Sequence, residues 1–560
     1  MKKYKIIGSL LISFLVLLFI SCEEEVLNKD PKTSFSEKDI WNDVELATNY
    51  LNDAYDGVGK WGINWDNPRD AVPSLVDDCM QRGDHGIWVF NKGDITADEY
   101  GACNRWNWNY DNIRITNVFL QRIDEVPDVT EEQLASLKAQ ARYIRARCYS
   151  DLLNFYSWWE GDNNGVPLLT EPFELGEDFQ VRRKSYDEVL SFIVEELDQA
   201  KENLPYEWDD DNWGKPTKGA CQTLKARMLL YAASKRHNPD GDQEKWQKAS
   251  DANKAVIDMD QYELVQPVES YEDYAQIWLD RGNSEIIFAR SYHPEYTDLN
   301  WIDKMNDPNG FTGWGGNCPT EDLVTAYRME DGSEIDEEGS DYDPQDPFEN
   351  RELRFYANIV YHGRHYRGRE IEAHYPAADA ENVSPGLDSR ASSIQNWNSS
   401  PTGYWWYKFK DESIDFSKEN SDVPLILMRL AEVYLNYAEA QYHLGNEGVA
   451  REYVNKIRER VNLPDLESSG EELLEDIRRE RRLELAFENN HRWCDIRRWG
   501  ILEETHEKDY VSIVPYKHDD GSITYEREVA MERSFQEKLY NFPIPKSEIE
   551  KTDLTQNPGY

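Results

Sequence analysis

The sequence predicts a mainly α-helical scaffold carrying long loop-rich insertions and a few short strands. Three observations predict it: apolar residues recurring every three or four positions, two such stretches joined by a short glycine turn, and intervening segments where that period is lost. Between Leu134 and Phe155 the positions Leu134, Leu137, Ala141, Ile144, Cys148, Leu152 and Phe155 follow the spacing of one buried helix face. Tyr186 to Leu204 gives a second helix, stopped by Pro205, which lacks the amide a helix needs. Lys218 to Ser234 and Trp246 to Met259 form a pair across the polar turn His237–Gly241.

Near the C-terminus, Leu427, Leu430, Ala431, Tyr434, Leu435, Ala438 and Tyr442 line one helix that ends at Gly445-Asn446. Ala450, Tyr453, Val454, Ile457 and Val461 line the next, which stops before Pro464. Antiparallel helices with small residues at their crossing make a hairpin of tetratricopeptide size, about 34 residues. The Lys218–Met259 pair has a similar shape. The repeats are degenerate and interrupted, so the prediction is a tetratricopeptide-like helical scaffold with insertions, not a regular solenoid.

The insertions, Tyr262 to Asp422 and His506 to Phe542, are rich in Gly, Pro, Asp, Asn and aromatics. Within them Glu285–Tyr292 (EIIFARSY) reads as a short strand and most of the rest as ordered loop. Their aromatic content argues against disorder, and ordered loops of this length carry function. The whole chain has 560 residues, 108 acidic against 62 basic, a formal charge of -46 and a pI of about 4.6. Such a surface repels phosphate backbones and anionic headgroups, which excludes a nucleic-acid binder and leaves neutral ligands or cationic partners.

Lys2, Lys3 and Lys5 precede an uncharged run, Ile6–Ile20, then Ser21 and Cys22. The run is short for a bilayer span and its basic flank suits an export signal. It resembles a bacterial lipoprotein signal, which implies cleavage after residue 21 and lipidation of Cys22. Glu23, Glu24 and Glu25 resemble the surface-export signal of Bacteroidetes lipoproteins. The expected organisation is signal peptide 1–21, tether 22–33, N-terminal helical part 34–261, loop-rich ligand-binding insertion 262–422 and C-terminal helical part 423–560, the body being tethered and not membrane-spanning. Of the other cysteines, Cys148, Cys221 and Cys494 fall in helical patterns as buried thiols; Cys318 is isolated, and a Cys79–Cys103 bridge stays open.

Catalytic signatures for phosphate loops, nucleophile elbows and zinc proteases are absent. His362 and His365 lack a nearby carboxylate, and Asp209-Asp210-Asp211-Asn212, which could offer oxygens to calcium, departs from EF-hand spacing and reads as a solvated turn. No cofactor or metal is therefore expected. Nothing singles out a carboxylate pair for glycoside hydrolysis, so an extracellular glycosidase is the alternative to a non-enzyme. A purely structural adaptor is a third reading. Glu475 to Arg498 predicts a packed helix laced by i,i+4 pairs such as Glu475–Arg479 and Glu488–Arg492.

What stands out is tryptophan in loops: Trp61, Trp65, Trp106, Trp108, Trp301, Trp314, Trp397, Trp405 and Trp406. A flat exposed indole suits the apolar face of a sugar ring, while neighbouring polar groups bond its hydroxyls. Trp314, in FTGWGGN, has the least local cover.

Landmarks along nearly the whole chain together resemble the SusD/RagB family of Bacteroidetes nutrient-binding outer-membrane lipoproteins. They are SCEEEVLNKDPKTSFSEKDIW, ARYIRARCYSDLLNFY with GVPLLTEP, GACQTLKARMLLYAA, NCPTEDLVTAYRMEDG, DPFENRELRF, RLAEVYLNYAEA, RRERRLELAFENNHRWCDIRRWG, FPIPKSEI and the terminal NPGY. The resemblance implies a SusD-like helical fold and a lipid-anchored protein at the cell surface. It implies capture of oligosaccharides and their delivery to a SusC-like, TonB-dependent outer-membrane transporter. Asp78, Trp106, and Trp314 with Cys318 occupy positions that the resemblance associates with ligand. Trp61, Trp301 and Tyr404 join them on loop composition.

Overall fold

A computed structural model of the protein describes residues 37–58, 72–84, 86–99, 105–173, 176, 181–292, 302–418 and 421–560. The leader, Cys22 with its expected lipidation, the tether, Trp61, Trp65, Cys103 and Trp301 lie outside the described residues.

Helices dominate. They include α1 (Val44–Val58), α2 (Trp106–Arg122), α3 (Glu131–Tyr156), α4 (Tyr186–Asn203), α5 (Lys218–Ala233), α6 (Gln243–Ile257), α7 (Tyr271–Leu279) and the short α8 (Ile302–Asn306). The C-terminal part adds α9 (Leu430–His443), α10 (Glu447–Arg460), α11 (Gly470–Glu484) and α12 (His491–Arg498). Local chemistry sets their ends. Thr130 caps α3 by accepting from the Gln133 amide, and Ser185 with Glu188 forms a reciprocal capping box on α4.

The helices pack as successive antiparallel neighbours: α2 with α3, α3 with α4, α5 with α6, α9 with α10, and α6 against α9. In the α9–α10 hairpin, Ala431, Leu435 and Ala438 meet Ala450, Val454 and Ile457, with Leu473 and Ile477 of α11 closing the cluster. Small residues on α9 let the axes approach, and Gly445 turns the chain at φ 80°. A larger apolar core is continuous from Trp41 to Leu554, so the N-terminal, insertion and C-terminal stretches share one interior.

Short strands stitch the insertions to this scaffold. β1 (Cys79–Gln81) pairs antiparallel with β3 (Asn317–Pro319), and β2 (Ile286–Arg290) with β4 (Leu425–Arg429). β4 corrects the predicted helix start at Leu427: the strand runs to Arg429 and the helix begins at Leu430. All five β4 residues are buried, and a fully buried strand shows no alternation to separate it from a helix face. β5 (Tyr510–Lys517) and β6 (Ile523–Met531) form a hairpin where loop was expected. Charged side chains along its solvent face obscured the two-residue period, although the connecting HDDGS carries a turn glycine at φ 87°.

The Glu475–Arg498 stretch is packed, as predicted, but the i,i+4 pairs do not form: within the helices Arg478 pairs with Glu475 and Arg498 with Asp495 at i,i+3, and the other partners are distant. Arg479 meets Glu334, Arg492 meets Asp77, and Glu488 bonds Lys408 and Arg429. Arg429 is the hub. It donates to Glu285 and Glu484 at 2.7 Å and to Glu488 at 2.6 and 2.8 Å, and Arg460 reaches Glu285 from the other side at 2.6 Å. All five of these groups are buried.

Candidate functional site

The most open indole among the loop tryptophans of the described residues belongs to Trp397, which is 69% exposed. Trp314 is half-buried on the neighbouring loop. The two loops touch through their backbones. A Cβ added to Gly315 would lie 2.3 Å from the Asn398 carbonyl oxygen, so this glycine is what lets the Trp314 turn sit against the Trp397 turn.

Each turn is held by its own backbone bonds. The Trp314 amide donates to the Lys304 carbonyl at 2.7 Å, Gly315 to Asp307 at 3.0 Å and Gly316 to Met305 at 2.6 Å, tying the turn to the end of α8. The Lys304 ammonium lies 5.3 Å from the Trp314 ring centre. On the other side, Asn396–Asn398 forms a single 3-10 turn whose entry residue, Gln395, is left-handed at φ 39°. Asn309 pins this loop by donating to the carbonyls of Ile394 and Leu387 at 2.8 and 3.1 Å. Arg82, just past β1, bridges both turns: its amide donates to Gly316 at 2.9 Å and its guanidinium to the Trp397 carbonyl.

Beneath the Trp314 turn lies a buried charge cluster. Arg367 pairs with Asp303 and Asp307 at 2.7 Å each, and Lys410 and Tyr366 also bond Asp307. Burial, and then the Asp307 charge beside it, push the Asp303 carboxyl up to about 7. This cluster fixes α8, which in turn fixes the Trp314 backbone. Phe311 adds a third ring, faced by the Arg369 guanidinium at 3.9 Å, with Arg369 held by both oxygens of Asp388.

Of the other predicted ligand residues, Trp61 and Trp301 lie outside the described residues, and Asp78, Trp106, Cys318 and Tyr404 are buried inside the protein and not on the surface where direct contact was expected. Asp78 is buried and paired with Arg482 at 2.9 Å; burial pushes its carboxyl up, against the pull of Arg482. Trp106 is packed against Tyr110 and Tyr156, at ring distances of 4.9 and 5.1 Å. Cys318 is a buried free thiol in β3, donating to the Gly315 carbonyl at 3.3 Å, and burial pushes it up to about 12. Tyr404 is buried and donates its hydroxyl to Glu321 at 2.6 Å. Trp405 and Trp406 are core residues. Cys318 and Asp78 nonetheless bear on the site from behind, because β3 continues the Trp314 turn and Thr320 donates to the Asp78 carbonyl at 3.0 Å.

Sequence reading missed Arg82, whose bridging role has no local signature, and it gave Trp397 no precedence among the loop indoles. The NWN tripeptide inside a Ser/Gln/Asn/Pro stretch was the available cue, since it marks a turn that carries its middle side chain outward. Among the described residues no group of three or more His, Cys, Asp or Glu side chains could hold a metal ion. His362 is instead half-buried against the Ile371 carbonyl, at 3.0 Å.

The arrangement presents the exposed Trp397 indole next to the half-buried Trp314, on turns that backbone amides and the Arg82 guanidinium hold in place. Comparison with known proteins bears on what such a surface serves. A model of the SusD family matches residues 284–560, and a second, described as starch-binding and associating with the outer membrane, matches residues 26–230. A SusD-like protein of Formosa agariphila is 24% identical over 514 residues, covering 87% of this chain and 89% of that one. The crystal structure of a SusD-like protein from Bacteroides fragilis is 28% identical with a TM-score of 0.77, covering 95% of this chain and 100% of that one. A SusD-like carbohydrate-binding protein from the same species is 23% identical with a TM-score of 0.74, covering 92% and 99%.

Proposed function

The chain belongs to the SusD/RagB family, and from that premise we propose that it is a non-enzymatic glycan-binding lipoprotein of the outer membrane. Anchored at the cell surface through Cys22, it captures oligosaccharides and hands them to a SusC-like, TonB-dependent transporter. The observation that carries the reading is the exposed Trp397 indole beside the half-buried Trp314, on two turns locked together through Arg82 and Gly315. A rigid ring loses little freedom on binding, so stacking on a sugar face gains about 0.5–1.5 kcal/mol per ring. Hydroxyl hydrogen bonds add about the same each. The chain's charge of -46 favours neutral sugars over uronates and sulfated glycans.

The test is calorimetric titration of the intact chain and of a Trp314→Ala/Trp397→Ala variant with a panel of neutral oligosaccharides. Binding by the native chain that falls at least tenfold in the variant supports the reading. Equal affinity in both rejects this surface. Chromatography of the same mixtures checks for shorter sugars, whose appearance would replace the binder with a glycosidase.

A further inference from the structure

A second aromatic cleft lies away from the Trp314–Trp397 turns, between the connection from α4 to α5 and the edge of β2 that is not paired with β4. Its volume is about 640 Å³, inside the range of about 300–1,000 Å³ found for small-molecule sites. Tyr206, Trp208, Trp213, Tyr262 and Arg281 line it together with the Ile286–Ala289 stretch of β2. Tyr206 is 54% exposed, and Trp208 and Trp213 are half-buried, each resting against the core with part of its ring uncovered.

The connection that carries these rings is preorganised. Trp208 donates its indole N–H to the Pro216 carbonyl at 2.8 Å, and the Lys218 amide closes the loop on the Pro205 carbonyl at 2.9 Å. Asp209, which the sequence offered as a cation ligand, accepts from the Asn212 amide and side chain at 3.1 and 2.6 Å and acts as a turn cap. Gly214, at φ 93°, brings the loop against β2: a Cβ there would lie 3.3 Å from the Ala289 carbonyl. Arg281 lies 4.5 Å from the Trp213 ring centre and Lys215 5.7 Å from that of Trp208, each covering one face of its indole. The charged groups at the rim balance, Glu207 and Asp210 against Lys215 and Arg281, while Thr217, Gln261, Tyr262 and Asn283 can both donate and accept. Fixed rings beside groups that donate and accept match the hydroxyls of a neutral sugar, while the chain's overall charge of -46 repels an acidic one.

We propose that this cleft is a second, separate glycan-binding site that takes a neutral oligosaccharide by stacking on Trp208 and Trp213. It rests on its own geometry and not on the Trp314–Trp397 reading. The test uses the full chain labelled with 5-fluorotryptophan, the resonances of residues 208, 213, 314 and 397 being assigned from single Trp→Phe variants. It is titrated with maltohexaose, laminarihexaose, xylohexaose, mannohexaose and a sulfated heparin hexasaccharide. The expected result is a saturable shift at 208 or 213 with at least one neutral sugar, none with heparin, and affinity at this site about tenfold weaker in Trp213→Ala. Silence at 208 and 213 with all four neutral sugars, or an equal response to heparin, overturns the proposal. Shifts at 314 and 397 alone reject this site and leave the first standing; shifts at 208 and 213 alone do the reverse. Because the labelled native chain gives the primary answer, a misfolded alanine variant does not decide it.

Discussion

Two regions use the same residue types to opposite ends. Where β2 and β4 meet α10 and α11, Arg429, Arg460, Glu285, Glu484 and Glu488 are sealed from water and bind one another. Around Trp397, arginine and tryptophan stand at the surface, with Arg82 holding backbone carbonyls and the indole uncovered. Eight residues further on, Trp405 is fully buried. Residue type alone therefore says little about role; the number of partners a side chain finds decides whether it supports or receives.

The contrast is broken most severely at the hub. Arg429→Met leaves three carboxylates buried without their shared cation, and loss of one partner of such a set costs about 3–5 kcal/mol. Urea unfolding should show that loss, whereas a variant within 1 kcal/mol of the native chain would show that the network rearranges. A pH titration attacks the same region from outside. Burial raises the Glu439 carboxyl, but Arg498, bonded to both its oxygens, outweighs this and holds it at about 2, below the ordinary 4.5. A depressed acid contributes its stability above the unfolded value and loses it as pH falls toward the folded one. Stability should thus decline between pH 4.5 and 2 by about 3 kcal/mol from this group, a slope that Glu439→Gln flattens in pH-dependent denaturation.

Tyr404→Phe sharpens the comparison at smaller scale. It removes the hydroxyl bond to Glu321 and should cost about 1–3 kcal/mol, because the Glu321 oxygen loses a buried partner. Glycan affinity should not change, and a drop would return Tyr404 to the binding surface. The gentlest change is Trp397→Ala. An exposed ring contributes little to folding, so the unfolding free energy from thermal denaturation should stay within about 0.5 kcal/mol of native while affinity falls about tenfold. Unchanged affinity would mean that the exposed ring is idle.

Much of the scaffold was legible because its signals are local. The Leu134–Phe155 period, Pro205 and Gly445 each act within a few residues, and the helices end close to where those residues end them. β4 and the Tyr510–Met531 hairpin were not, since a strand's identity lies in its partner across the sheet. The site was half legible. Trp314 could be singled out by its flanking glycines, but Trp106 and Tyr404 stand in equally aromatic, loop-like sequence and are buried.

By itself, then, the sequence determined the helical scaffold, the acidic surface and the supply of loop indoles, because period, charge and composition need no distant partner. Only the tertiary structure decided which indoles face solvent, which arginines are neutralised inside, and that Arg82 and Gly315 bring two turns far apart in sequence into contact. Exposure is what remains after every other segment has packed, and no local window contains that information.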